Sequence, residues 1–247
     1  MPLHAIHSIV GQLTSAMTRD MSCSWRAGRR LRGGRLVWQL LLALSVLLLA
    51  LRGGAWESQR LMAAAHKLGP ATVAQAQAMV QMIAEAAGEP ESGRVRTINT
   101  FFNRRIDYRD DRDVWGVSDY WATPLESLTK GAGDCEDYAI AKYLSLIAAG
   151  TPPSKMRLVY VRAEVGGMVL AHMVLAYYPE PTAEPLILDN LVTEIRPASR
   201  RPDLAPVFSF NAEGLWQGVA GAPAGDPAAR LSRWRELLAK VRAEGWW

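Results

Sequence analysis

The stretch from Gly131 to Gly150, GAGDCEDYAIAKYLSLIAAG, constrains the fold more than any other part of the chain. A glycine-rich turn leads to Asp134, whose carboxylate is suited to cap the free N–H groups of a helix start. Cys135 follows in the first turn, where the helix dipole stabilises a thiolate, the nucleophilic form of cysteine. Apolar residues then recur at helical spacing. The stretch predicts a helix with a reactive cysteine at its N-terminus; the alternative is a buried structural cysteine.

The first 55 residues differ from the rest of the chain in charge and predict export. Seven arginines against one acid give them a charge of +6, which leaves −2 for the remainder of a chain whose net charge is +4. A slightly acidic body argues against nucleic acid as a partner. The apolar run 36–51 follows the arginines and is close to the upper size of a signal-peptide core. We therefore expect a leader over 1–55, either cleaved or retained as a membrane anchor, and an exported domain over 56–247.

Export makes the cysteine count informative. Cys23 lies in the leader, so Cys135 is the single cysteine of the exported body. A lone cysteine cannot take part in an internal disulfide and is exposed to oxidation outside the cytoplasm. Its presence at a helix start therefore favours a nucleophile.

The remaining hydrophobic patterns predict an α+β architecture. Helical spacing predicts helices over 56–68, 73–87, 95–106 and 231–241. After the central helix the apolar residues alternate, which predicts strands over 156–163, 168–178, 186–191 and 208–210. The charged segment from Tyr108 to Asp119 is interpreted as a solvated loop, because its spacing is not that of an EF-hand. We expect the helix that carries Cys135 to pack on an antiparallel sheet.

A base and an orienting acid for Cys135 are available on two of these strands. His172 lies in the middle of the second strand, and Asp189 lies in an otherwise apolar third strand. A lone strand histidine is more often structural, but an acid among apolar residues is costly to bury without a partner. If the two strands are neighbours, Asp189 can accept from one imidazole nitrogen while the other nitrogen faces Cys135.

Four segments resemble those of the bacterial transglutaminase-like cysteine proteinases. They are Tyr120-Trp121-Ala122-Thr123-Pro124, Gly133-Asp134-Cys135-Glu136-Asp137-Tyr138, Ala171-His172-Met173-Val174-Leu175 and Leu188-Asp189-Asn190. The resemblance implies a papain-like, transglutaminase-like core with Cys135 as nucleophile, His172 as general base and Asp189 as orienting carboxylate.

The same resemblance implies a Ca²⁺ site beside the nucleophile, matched here by Asp134, Glu136 and Asp137. Carboxylates are hard oxygen ligands and suit Ca²⁺, although helix capping is the alternative role for them. The resemblance also implies a periplasmic enzyme that cleaves the N-terminal region of a large surface adhesin next to a pair of alanines and so disperses a biofilm. Its implied inhibitory partner is an inner-membrane receptor for cyclic di-GMP.

Two other functions are compatible with the same residues. A transglutaminase-like amidase or acyltransferase, acting on side-chain amides or cell-wall peptides, would use the same thioester chemistry. A catalytically idle binding module would keep the fold, but the intact set of Cys135, His172 and Asp189 argues against it.

Overall fold

The computed structural model describes residues 56–219 and 221–246. The expected leader over 1–55, with its apolar run 36–51, lies outside these residues, so the leader and the domain division at residue 55 stay predictions. Of the helices in the described ranges, none has both the length and the apolar character needed to span a membrane.

Three helices open the described chain, and all three were predicted. They are α1 (Ser58–Leu68), α2 (Pro70–Ala87) and α3 (Glu91–Arg105). The second begins at Pro70, three residues earlier than expected, because a proline in the first turn lacks only an N–H that has no helical partner. The third also begins early, at Glu91, whose negative charge favours a helix N-terminus. Their buried faces enter the main core through Met79, Ile83 and Phe102, among others.

The segment between α3 and Cys135 is ordered by short elements. These are β1 (Asp107–Tyr108), α4 (Asp111–Val114), α5 (Pro124–Lys130) and β2 (Ala132–Gly133). The two short strands pair in parallel, with Asp107 opposite Ala132. This pairing ties the charged segment, which we expected to be a loop, to the turn that precedes Cys135. Gly131 ends α5 with a φ of 65°, a left-handed conformation that favours glycine.

The predicted central helix is α6 (Cys135–Ala148), and it is buried on nearly every side. Its apolar residues pack in the main core against both the other helices and the sheet. Lys142 and Ser145 are buried with them. A helix that is apolar on nearly every side is a buried helix. Because neighbouring elements pack against it all round, the position of its N-terminus is fixed.

The predicted sheet is antiparallel. Its strands are β3 (Met156–Val165), β4 (Met168–Tyr177), β5 (Leu186–Leu188), β6 (Arg196–Pro197), β7 (Leu204–Phe210), β8 (Leu215–Gln217) and β9 (Pro223–Gly225), in the spatial order β6-β5-β4-β3-β7-β8-β9. The α+β prediction is confirmed, with α6 packed on this sheet. The third strand ends at Leu188 rather than at residue 191, so Asp189 lies just beyond it.

The chain finishes with α7 (Pro227–Arg230) and α8 (Ser232–Glu244). The second of these confirms the predicted terminal helix, and its Trp234 packs at 5.2 Å, ring to ring, on Phe210. Near its end, Lys240 donates to the carbonyl of Trp121 over 2.7 Å. The terminal helix therefore supports the segment that leads into α5.

Candidate active site and metal centre

Cys135 is the first residue of α6, as the sequence predicts. Its thiol is half-buried and donates to Glu136 Oε2 over 3.0 Å. Burial, then the carboxylates of Glu136 and Asp134, raise the pKa of this thiol, while a hydrogen bond from the backbone of Met173 opposes them. These effects oppose the stabilised thiolate that the helix start alone would favour. The adjacent carboxylates and the loss of hydration outweigh the helix dipole.

Asp134 occupies the N-cap position, but it does not cap the helix through its side chain. Among the described residues, its carboxylate accepts no capping hydrogen bond, and its buried Oδ1 has no partner. This corrects the capping role expected from the sequence. The side chain instead joins a group of acids.

His172 and Asp189 are in direct contact. The antiparallel pairing of β4 with β5 places Leu175 opposite Leu188, so the two predicted strands are neighbours. His172 Nε2 lies 2.8 Å from Asp189 Oδ1, and both side chains are almost fully buried. With Nε2 engaged, Nδ1 is the ring nitrogen left for a second partner.

The start of α6 meets β4 one residue from this pair. Helix α6 packs against β4, and Met173, whose backbone lowers the pKa of the Cys135 thiol, directly follows His172 in that strand. The fold thus brings the helix start, the histidine strand and Asp189 into one region. The predicted neighbourhood of His172 and Asp189 is thus present, and the catalytic roles of the three residues stay predictions.

Three charged residues around Asp189 were missed by the sequence analysis. Arg201 Nη2 donates to Asp189 Oδ2 over 2.7 Å and also to Asp203 over 2.7 Å. Burial alone would raise the pKa of Asp189, but the hydrogen bonds from His172 and Arg201 outweigh it and lower this pKa to about 2. Lys142 Nζ donates to the backbone oxygen of Asp189 over 3.1 Å. The carboxylate is therefore ionised and fixed from several directions.

The turn after Asp189 explains why β5 stops early. Asp189 Oδ1 accepts from the backbone N–H of Leu191 over 3.1 Å. Its backbone oxygen is taken by Lys142 and by Asn103 Nδ2, the latter over 2.9 Å. Because its polar groups are engaged by side chains and a local turn, the backbone leaves the ladder at this residue.

The three acids predicted beside the nucleophile are joined by Asp111. Carboxylate oxygens of Asp111, Asp134 and Asp137 lie within 4.8 Å of one another. Carboxylate oxygens of Asp111, Asp119 and Glu136 also lie within 4.8 Å of one another. Asp111 is only 3% exposed, so the solvated loop expected over Tyr108–Asp119 is wrong at this position. The pairing of β1 with β2 carries it inward, and the Tyr120 N–H bonds to its carboxylate.

The acids are arranged as metal donors rather than as ion pairs. Asp111 Oδ1, Asp134 Oδ1 and Asp137 Oδ2 are buried and have no hydrogen-bond partner in the described chain. Burial and the neighbouring acids raise the pKa of Asp111 to about 6, and they also raise the pKa values of Asp134 and Asp137. Several orphaned hard oxygens in one buried cluster fit a divalent cation such as Ca²⁺.

A glycine makes the cluster possible. A Cβ at Gly133 would lie 2.5 Å from Asp137 Oδ2, so a side chain there would displace this carboxylate. Asp137 is held on its other oxygen, Oδ1, by the Ala122 N–H over 2.8 Å. The glycine of the turn before Cys135 therefore has a packing role as well as a turn role.

This chain is similar to known proteins over more than half of its length. A family model described as bacterial transglutaminase-like cysteine proteinase matches residues 71–203. A structure of Legionella pneumophila LapG shares 37% identity, with a TM-score of 0.65, over 75% of this chain and 97% of that one. None of the curated proteins matches.

Two further structures of Legionella pneumophila LapG are similar and differ in calcium state. The EGTA-treated structure shares 37% identity and a TM-score of 0.67, over 75% of this chain and 97% of that one. The calcium-bound structure shares 38% identity and a TM-score of 0.64, over 75% of this chain and 99% of that one.

Proposed function

The chain belongs to the bacterial transglutaminase-like cysteine proteinases, and from this membership we propose a calcium-dependent endopeptidase in which Cys135, His172 and Asp189 form the catalytic unit. The observation that carries the assignment is the 2.8 Å contact between His172 and Asp189, because His172 lies on the strand against which the helix that begins at Cys135 packs.

The roles follow from which atoms are already engaged. Asp189 holds His172 through Nε2, so Nδ1 takes the proton of the Cys135 thiol. The sulfur then bonds to the scissile carbonyl carbon, and collapse of the tetrahedral intermediate breaks the C–N bond. The proton on Nδ1 passes to the leaving amine, and water hydrolyses the thioester to restore the thiol.

The acidic cluster supports the calcium part of the proposal. Asp111, Asp134, Glu136 and Asp137 would hold the ion through the oxygens described above. Bound Ca²⁺ supplies positive charge that offsets these carboxylates. A Glu136 carboxylate that served as a ligand would be a weaker acceptor for the thiol proton that it receives at 3.0 Å. The calcium-bound and EGTA-treated forms of the similar LapG structures agree with such a site.

The proposed substrate is the N-terminal region of a large surface adhesin, cut next to a pair of alanines. The proposed setting is the periplasm, where an inner-membrane receptor for cyclic di-GMP would bind and restrain the enzyme. Family membership and the expected leader over 1–55 support these proposals.

Product analysis distinguishes this function from the transglutaminase-like alternative. The calcium-loaded chain is incubated with the N-terminal region of its host's own large adhesin, and the products are measured by intact-mass spectrometry. Backbone cleavage into two fragments supports an endopeptidase. A product that keeps its full length and gains the mass of deamidation or of a cross-link supports an amidase or acyltransferase instead.

A further inference from the structure

A buried arginine lies directly behind the His172–Asp189 pair. Arg201 follows a 3₁₀ turn (Ala198–Arg200) and is 3% exposed. Its Nη2 donates to Asp189 Oδ2 over 2.7 Å, on the carboxylate oxygen that His172 does not use. The two oxygens of Asp189 therefore serve two different partners.

A second carboxylate fixes the arginine from its other side. Asp203 accepts from Arg201 Nε over 3.0 Å and from Nη2 over 2.7 Å. This carboxylate remains about one-third exposed, whereas the Asp189 side chain is fully buried. The result is a continuous chain of contacts that runs from the imidazole inward to Asp189, then to Arg201, and out to Asp203.

Stability alone does not account for this chain of contacts. Burying an arginine and a carboxylate costs desolvation energy that their attraction often fails to exceed, and apolar replacements are frequently as stable. Arg201 lines a cavity of about 200 Å³ whose other walls include Val159, Val174 and Ile187. An apolar side chain at position 201 would therefore have apolar neighbours to pack against. A charged side chain among such neighbours indicates a requirement set by Asp189.

We propose that Arg201 is a positioning residue, which acts through Asp189 to hold the His172 imidazole in its reactive orientation. The inference rests on the proposed function for the roles of His172 and Asp189. Its own content is that the planar guanidinium, anchored on Asp203, prevents rotation of the Asp189 carboxylate. Oδ1 then stays aimed at Nε2, and the imidazole stays in one tautomer with Nδ1 free.

The charges that face Asp189 are consistent with this role. His172 and Arg201 lie against its carboxylate, Asp203 lies behind Arg201, and Lys142 reaches its backbone oxygen from α6. Among the described residues, Arg201 is thus the only Arg or Lys side chain that donates to this carboxylate, and its other side-chain partner is the His172 ring. Lys142 cannot replace it, because Lys142 holds the backbone and leaves Oδ2 free to turn.

The test compares Arg201→Gln and Arg201→Lys with the matched control Arg200→Gln, which changes the exposed neighbouring arginine. Each full-length, calcium-loaded variant is treated with iodoacetamide, and mass spectrometry of the Cys135 peptide gives its alkylation rate apart from that of Cys23. The same samples are measured by proton NMR for the downfield ring N–H of His172 bonded to Asp189. A purely structural role would leave this resonance unchanged in any variant that folds.

Arg201→Gln is expected to lower the alkylation rate by roughly ten- to hundredfold, as loss of an outer-shell partner does at other sites, and to remove or shift the resonance. Arg201→Lys keeps the positive charge but lacks the planar guanidinium with its several N–H donors, so an intermediate loss in both readouts is expected. Wild-type values of both readouts in folded Arg201→Gln would overturn the proposal. If Arg201→Gln does not fold, Arg201→Lys decides in the same way.

The wild-type protein separates this inference from the proposed function. If wild-type Cys135 reacts no faster than the thiol of glutathione, the nucleophile assignment fails. The His172 resonance still decides whether Arg201 holds the His172–Asp189 pair, because that readout needs neither substrate nor a reactive thiol.

Discussion

The Cys135 thiol donates to the carboxylate of its neighbour Glu136 over 3.0 Å. Burial, and then this carboxylate, raise the pKa of the Cys135 thiol. In the proposed mechanism Cys135 must lose this proton before it can act as a nucleophile. A cation bound by the neighbouring carboxylates would counter this rise in pKa.

Calcium should therefore control the reactivity of Cys135. We expect EGTA to lower its alkylation rate by about tenfold or more, since tenfold corresponds to only about 1.4 kcal/mol of charge interaction, and excess Ca²⁺ to restore it. Mass spectrometry of the Cys135 peptide measures the rate. Cys23, outside the expected site, provides the internal comparison. An identical rate for Cys135 in EGTA and in Ca²⁺ would refute the metal role.

Asp111 and Asp110 should differ sharply although they are adjacent in the chain. Asp111 is buried in the acidic cluster, whereas Asp110 is exposed. Asp111→Asn should weaken Ca²⁺ binding by about tenfold or more in titration calorimetry, because carboxylate charge sets the affinity of such sites. Asp110→Asn should bind as the wild type does. Equal affinities for the two variants would remove Asp111 from the site.

Calcium should also stabilise the wild type more than Asp111→Asn. A ligand that binds only the folded state contributes about 2.7 kcal/mol at a free concentration one hundred times its Kd. Thermal melts with and without Ca²⁺ therefore provide an independent check of the same site. A melting temperature that Ca²⁺ leaves unchanged in the wild type would contradict it.

The positions of Cys135, His172 and Asp189 in the fold could be predicted from sequence, but the electrostatic surroundings of these residues could not. Cys135 was evident from its place at a helix start, and His172 and Asp189 from their neighbouring strands. Asp111 looked like part of a solvated run because its burial depends on pairing between β1 and β2, which two-residue strands do not signal. Arg201 reaches Asp189 only through the turn that follows β6.

The factors that raise the pKa of the Cys135 thiol could not be predicted from sequence for a related reason. A helix N-terminus favours a thiolate, but that effect is modest and local. Burial of Cys135 and its contact with Glu136 arise from the packed structure, and they outweigh it. The sequence thus predicted which residues lie close together more reliably than it predicted the direction of their pKa shifts.

Removal of the Asp189 charge should cost stability as well as activity. Asp189→Asn leaves Arg201 buried without its closest inner carboxylate, and breaking such a pair costs about 3–5 kcal/mol. Urea unfolding should show this loss. Glu194→Gln, which breaks an exposed pair with Arg196, should change stability by less than about 1 kcal/mol. Equal unfolding midpoints for the two variants would contradict the buried network.

Glu244 should make stability fall as the pH rises. Burial raises its pKa from 4.5 to about 7, although hydrogen bonds from Thr123 and Trp246 oppose the shift. The folded state therefore binds the proton more tightly, so this contribution is complete below about pH 4.5 and is lost as the pH rises through 7. The stability of Glu244→Gln relative to wild type should rise over this window and then level off. A difference that does not change with pH would exclude the shift.

The central claim is that Cys135 forms a thioester with the substrate during peptide-bond cleavage. The most direct measurement is the mass of the Cys135 peptide after the calcium-loaded protein has reacted briefly with the adhesin N-terminal region and been quenched in acid. We expect Cys135 to carry the N-terminal fragment of the substrate, and Cys135→Ala to leave the substrate intact. Cleavage at the wild-type rate by Cys135→Ala, with no adduct on Cys135 in the wild type, would contradict the account.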